Sequence, residues 1–234
     1  FGSGGLWKTT NNGLTWKSIF EEQSSIGIGD VELAPSNSNI IYLGTGENLK
    51  KPRNFTLLGT GMFRSDDAGA TWKSIGLADS WSIAEIEIHP TNPETVFVAV
   101  LGHLWTKNKN RGLYRSTNGG KTWEQVLYLN DMTGANEIVI SPANPQIMYA
   151  SLWEMNPGIS GHNSGIYRSV DGGATWIKST KGLPTGPKVG RIGLTVSATN
   201  PNKAYALVDN LNYPEGQSAE LYKTVDGGLS WTKT

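Results

Sequence analysis

The sequence predicts an all-β chain: a β-propeller of four-stranded antiparallel blades, of which about four and a half are present. Three observations predict it. An eight-residue box recurs five times in 234 residues, the boxes are spaced as whole blades would be, and the same strand and turn pattern precedes each one. The boxes run from Thr9 to Trp16, Ser65 to Trp72, Ser116 to Trp123, Ser169 to Trp176 and Thr224 to Trp231, with the consensus Ser/Thr-x-Asp/Asn-x-Gly-x-Thr/Ser-Trp. Successive closing tryptophans are 56, 51, 53 and 55 residues apart, room for four strands of about five or six residues and their turns.

Each box reads as a hairpin turn. Its Asp or Asn side chain can accept backbone N–H groups, and its Gly takes a positive φ without a steric penalty. An aromatic and then a cation precede each box, at Trp7-Lys8, Phe63-Arg64, Tyr114-Arg115, Tyr167-Arg168 and Tyr222-Lys223, an alternation expected of a strand. The closing Trp offers a large apolar surface for packing between blades. Two further strands precede each full unit, at Asp30 to Ala34 and Ile40 to Thr45, Glu85 to His89 and Thr95 to Val100, and Glu137 to Ser141 and Ile147 to Leu152. Pro and Asn turns separate them, beginning at Pro35, Pro90 and Pro142, with Ala198-Thr199-Asn200-Pro201 as a weaker fourth copy. The predicted units are a half blade over residues 4–20 and blades over 26–78, 81–129, 133–181 and 188–234, in the order strand A, Pro-Asn turn, strand B, long loop, strand C, box, strand D. Starting at a third strand and stopping just after a box Trp, the chain is expected to be part of a longer polypeptide or of an assembly that completes the ring.

Composition removes several functions. Lys plus Arg and Asp plus Glu both number 20, so no net field draws the chain to nucleic acid. With no cysteine there is neither a disulfide framework nor a thiol nucleophile. No apolar run approaches the roughly 20 residues of a membrane span, so membrane insertion is not expected. His89, His103 and His162 lack the spacing of a metal site, and neither a metal nor another cofactor is predicted.

The box is the Asp box of the sialidase-type (bacterial neuraminidase) repeat, and the chain resembles proteins built from it: sortilin-like receptor propellers, xyloglucan-degrading glycosidases and a photosystem assembly factor. It is most similar to secreted bacterial sortilin-like or glycosyl hydrolase-like repeat proteins, through strings such as Gly4-Gly5-Leu6-Trp7-Lys8-Thr9-Thr10, Gly44-Thr45-Gly46-Glu47-Asn48, Leu101-Gly102-His103-Leu104-Trp105 and Gly190-Arg191-Ile192-Gly193-Leu194. The resemblance implies a propeller and export from the cell, and leaves the activity open. Arg64, Arg115 and Arg168 suggest the arginine triad of sialidases, but Lys8 and Lys223 share their repeat position, so periodic strand design accounts for them.

Function is expected on the face that carries the long B-to-C loops, residues 44–61, 101–112, 151–165 and 208–220, opposite the short Pro-Asn turns. Those loops hold Glu47, Lys50, Lys51, Arg53 and Phe55, then His103, Trp105, Lys107, Lys109 and Arg111, then Trp153, Glu154 and His162, then Asp209 and Tyr213. Aromatics among charges stack on sugar rings or grip peptides, with Trp105 and Trp153 the foremost candidates. Asp30, Glu85 and Glu137 stand five residues before the turn position of three successive blades, and Arg191 lies near the matching place in the fourth. These acids are expected at the channel mouth, where mutual repulsion raises a carboxyl pKa. The leading expectation is a non-catalytic propeller that recognises protein or glycan. The rival is a glycoside hydrolase using paired carboxylates among Glu47, Glu85, Glu137 and Glu154.

Overall fold

The computed structural model describes residues 4–48, 56–156, 159–212 and 219–234. A two-stranded ribbon opens the chain, β1 (Trp7–Lys8) with β2 (Lys17–Ser18). Next comes a sheet ordered β3 (Ile28–Leu33), β4 (Ile41–Thr45), β5 (Met62–Ser65) and β6 (Lys73–Ser74), then another of β7 (Ile83–Ile88), β8 (Val96–Val100), β9 (Gly112–Ser116) and β10 (Glu124–Leu127). In the third, β11 (Thr133–Ile140) and β12 (Met148–Asn156) are followed by a short β13 (Ile159–Ser160) on the end of β12, then β14 (Gly165–Ser169) and β15 (Ile177–Ser179). The last sheet is β16 (Val189–Val196), β17 (Ala204–Asn210), β18 (Ala219–Thr224) and β19 (Thr232–Lys233). Every pairing is antiparallel. This is a propeller arc with β3, β7, β11 and β16 side by side along its inner edge.

The core is divided among the seams between blades, because each sheet has an apolar surface on both faces and buries it against its neighbours. One cluster joins Tyr42 and Met62 of the first full blade to Ile86 and Val98 of the second, another joins Phe97 and Leu113 to Ile138 and Met148, and a third joins Tyr149 and Ile166 to Ile192 and Ala206. The second strand of each blade, sandwiched on both sides, accordingly reads as a continuous apolar run: Val96 to Val100 are wholly buried.

The boxes fold as expected. In the second, Asp67 Oδ1 accepts the Thr71 N–H at 2.8 Å, Oδ2 accepts the Thr71 hydroxyl at 2.6 Å, and Ser65 Oγ accepts the Gly69 N–H at 2.8 Å. The hydroxyl bond is the largest of the effects that hold Asp67, Asp171 and Asp226 well below the usual carboxylate range, at about 2. Each of the last four boxes also donates an N–H to the Pro-Asn turn of its own blade, Ala68 to Asn39 O, Gly119 to Glu94 O, Gly172 to Gln146 O and Gly227 to Asn202 O, which puts both on one face. The repeated cation tacks one blade to the next: Lys8 Nζ donates to Ala68 O, Arg64 to Gly119 O and Arg168 to Gly227 O. Arg64 and Arg168 are therefore inter-blade fasteners on the box face, whereas Arg115 pairs with Glu124 of its own blade at 2.7 Å. Trp72 and Trp123 donate back to Ile19 O and Ile75 O of the preceding blade, whereas Trp16, with no blade before it among the described residues, is 57% exposed.

Two consecutive box positions need positive φ, and the first is Ala68 (φ 57°) where other copies hold Gly119, Gly172 and Gly227. Left-handed backbone costs a non-glycine residue about 1–2 kcal/mol, and glycine loses roughly 0.5–1 kcal/mol of extra entropy. Ala68→Gly should therefore stabilise the chain by about 0.5–1 kcal/mol. Gly119→Ala should destabilise it, since a Cβ there would lie 1.9 Å from Arg64 Nη1. Urea midpoints of the two variants check the opposite signs.

The inner strands begin two to four residues earlier than the sequence predicts. Each carries a β-bulge near its start, at Gly29, Ala84, Asn136 and Gly190–Arg191, and the extra residue interrupts the alternation that would have marked the strand. In the third blade β12 runs on to Asn156, so much of the expected loop is an extended hairpin.

Candidate functional site

The face opposite the boxes gathers the B-to-C loops and the D-to-A connections, which are hydrogen-bonded to one another: Gly46 N to Gly27 O, Gly59 N to Trp81 O, Leu101 N to Ser82 O and Leu211 N to Lys188 O. Loop 101–111 is the best defined of these. Arg111 is 1% exposed and lies inside it, donating from Nη1 to Leu101 O at 2.7 Å and from Nη2 to Thr106 O at 3.1 Å and His103 O. Asn108 adds its own bond to Thr106 O at 3.1 Å, and Leu104 is buried in the core. The loop is thus rigid from within, and between these anchors Trp105 stands 54% exposed. Burial holds the Arg111 guanidinium down at about 10.

His103 of this loop stacks on Trp81 of the preceding D-to-A connection, ring centroids 3.7 Å apart and 16° from parallel. Its Nε2 donates to Asp79 O (3.0 Å) and Asp79 Oδ1 (3.1 Å), while Asn110 Nδ2 donates to Asp79 Oδ2 at 2.5 Å. The connection is strained: Leu77 (φ 53°) and Trp81 (φ 60°) lie in the left-handed region without being glycine. Each such residue costs on the order of 1–3 kcal/mol, a cost that clusters at functional sites.

At the inner edge, consecutive strands are bridged by carboxylates. Asp30 Oδ2 accepts Ile86 N–H at 2.7 Å and Glu137 Oε2 accepts Leu194 N–H at 2.5 Å. Glu87, two residues farther along, faces the Ile140 N–H, which pulls its carboxyl down. Glu85 has no such bond, and among the described residues no hydrogen-bond partner is found for it. Burial, reinforced by Asp30 and Glu137, pushes its carboxyl up to about 8. Glu87 also rises to about 8, through burial and then Glu32. Burial likewise raises Asp30, Glu32 and Glu137, although the Leu194 N–H and the Arg191 guanidinium pull Glu137 back. Arg191 is itself lowered by burial and faces Glu137 and Glu85.

Other candidates have structural employment. Arg111, predicted as a ligand residue, is an internal brace, because a loop that turns its carbonyls inward needs a multidentate donor. Trp153, predicted as a platform, is 6% exposed and packs in the core, because β12 continues through it to pair with Gly134. Glu47 Oε2 accepts Leu57 N at 3.0 Å and closes its own loop. Glu154 Oε2 does the same with Asn163 N at 3.0 Å. His162 is exposed, Lys107 and Lys109 likewise, and Asp209 lies close beside Gly190. Lys50, Lys51, Arg53, Phe55 and Tyr213 lie outside the described residues. Asp79 and Trp81 belong to this face but went unnoticed in the sequence, since their connection has no counterpart in the repeat. Among the described residues no group of three metal-ligating side chains converges, and no helix is long and apolar enough to cross a membrane. Concavities of about 420 and 310 Å³ open beside the first two boxes, where turns meet, away from the long loops.

A family model described as sortilin, neurotensin receptor 3 (Sortilin-Vps10) matches residues 4–127 and again 111–234. The chain belongs to the Sortilin-Vps10 family. This Sortilin-Vps10 chain is 28% identical over 219 residues to the xyloglucanase Xgh74A of Acetivibrio thermocellus, covering 78% of itself and 24% of that enzyme. Against a probable oligoxyloglucan-reducing end-specific xyloglucanase of Neosartorya fischeri the identity is 26% over 170 residues, with 70% and 19% covered. The chain spans about a quarter of the length of these relatives or less. Its fold matches the crystal structure of an ancestral GH74 enzyme with a TM-score of 0.72 at 21% identity, over 100% of this chain and 28% of that one.

Proposed function

We propose that this chain is part of an exported propeller, within a longer polypeptide, that recognises polysaccharide through its long-loop face. The observation that carries the reading is the presentation of Trp105. A fully buried arginine is spent on fixing a surface loop, and what the loop displays is one large exposed aromatic ring. A rigid aromatic offers area to a sugar ring with little entropy left to lose on binding. The relatives are named for action on xyloglucan, which makes a β-glucan the first ligand to try.

Trp105→Ala should weaken xyloglucan binding about tenfold or more, a loss of about 1.4 kcal/mol, while leaving the urea midpoint unchanged. Titration calorimetry against xyloglucan oligosaccharides measures the first. Equal affinity in the variant would place the binding surface elsewhere, and capture of proteins but no glycan would turn the reading toward a protein ligand.

One observation favours a hydrolase as the second reading. Glu85 holds its proton near neutral pH, which is the form of a general acid, and Glu137 and Asp30 lie on the adjoining inner strands. Release of reducing sugar from xyloglucan that disappears in Glu85→Gln would support it; binding without release would reject it.

A further inference from the structure

The D-to-A connection between the first two full blades is built at a conformational cost that its surroundings enforce. Trp81 adopts φ 60° and ψ −30°, a region that bulky side chains avoid. Its carbonyl accepts the Gly59 N–H at 2.8 Å, and a Cβ at Gly46 would lie 2.0 Å from that carbonyl oxygen. Gly46 of the first blade's long loop therefore clears the space in which this backbone sits, and Gly59 of the same loop holds it by a hydrogen bond. Held in this way, the Trp81 ring is turned onto the His103 ring at the half-buried surface instead of into a seam of the core. Packing alone does not call for tryptophan there, because glycine would take the same backbone without strain. Asp79, three-fifths exposed or more at its side chain, links the connection to the loop 101–111 that carries Trp105, through His103 and Asn110.

We infer that Trp81 and Asp79 form a sugar-ring subsite for a neutral hexopyranose unit, continuous with the loop that carries Trp105. The inference rests on the polysaccharide reading. The flat indole faces the C–H side of a pyranose ring, and the Asp79 carboxylate and Asn110 amide supply an acceptor and a donor for its hydroxyls. The sugar is neutral because the Asp79 carboxylate repels a uronate, and among the described residues no Lys or Arg is paired with that carboxylate.

Calorimetric titrations with xyloglucan oligosaccharides and with oligogalacturonate, run on the wild type and on Trp81→Gly, Asp79→Asn and Trp105→Ala, test it. Wild type should bind the neutral oligosaccharide and not the acidic one. Trp81→Gly and Asp79→Asn should each weaken binding about tenfold or more, with melting temperatures within about 4 °C of wild type, a shift worth no more than roughly one ordinary contact. Undiminished binding in both variants, beside loss in Trp105→Ala, overturns the subsite and leaves the polysaccharide reading standing. Equal binding of oligogalacturonate overturns the neutral assignment, and no binding of any glycan by wild type overturns both. If Trp81→Gly fails to fold, Asp79→Asn decides.

Discussion

Raising the pH from 5 to 9 should destabilise the folded chain, and the double variant Glu85→Gln/Glu87→Gln should lose most of that dependence. Both carboxyls stand at about 8 in the fold against 4.5 for the ordinary side chain, with burial as the leading cause and neighbouring acids next. Between these two values the folded state binds protons that the unfolded state has released, so stability falls as pH climbs through the interval and levels off above 8. Their contribution is fully present below about 4.5. At about 1.4 kcal/mol per pKa unit the two groups together set a ceiling near ten, and solvent entering the channel reduces this to about 3 kcal/mol. The opposite sign holds for Asp67, Asp171, Asp226 and Glu220, which all sit at about 2 in the fold and whose stabilisation is lost as pH falls through about 4 towards that value. The chain should thus be most stable near pH 5. Glutamine imitates the protonated acid, so the double variant should match wild type at pH 5 and exceed it at pH 9. Urea midpoints at pH 5, 7 and 9 measure this; a flat wild-type profile, or parallel slopes in the two proteins, would show that the channel acids are already solvated.

That the inner acids share one register was legible because each precedes its turn position by the same five residues, and repetition converts a lone carboxylate into a pattern. The boxes and Pro-Asn turns were legible for a related reason: their chemistry is local, and a hydroxyl, a carboxylate and a glycine at fixed offsets specify the turn without reference to the rest of the chain. What the sequence withheld depends on contacts distant along it. Gly29, Ala84 and Asn136 bulge their strands, yet no common side chain announces the bulge. Trp153 reads as a loop aromatic until β12 is seen to pass through it, and Trp81 reads as an ordinary connection residue until Gly46 is found against its backbone. Charge misleads at Arg111, where burial is tolerable because three inward-facing carbonyls accept from Nη1 and Nη2, although Nε has no partner among the described residues.

Arg111→Met separates the brace from what it displays. Methionine fills much of the volume without donating, so the carbonyls of Leu101, His103 and Thr106 lose their partner in a place with little water. An abandoned buried acceptor costs about 1–3 kcal/mol, and solvent reaches Thr106 and His103 more readily than Leu101. The expected loss is about 3 kcal/mol, read as a lowered urea midpoint with an unchanged slope. Two further readouts distinguish a collapsed loop from global weakening. Amide exchange should quicken over residues 101–111 and spare the box hydrogen bonds at Asp171 and Thr175, and xyloglucan affinity should fall at least as far as in Trp105→Ala although Trp105 is intact. Arg111→Lys should rescue little, since one ammonium cannot reach three diverging carbonyls with the geometry of a planar fork. If Arg111→Met kept both the midpoint and the affinity of wild type, the loop would be held by Leu104 and Asn108 instead, and the rigid presentation of Trp105 would need a different cause.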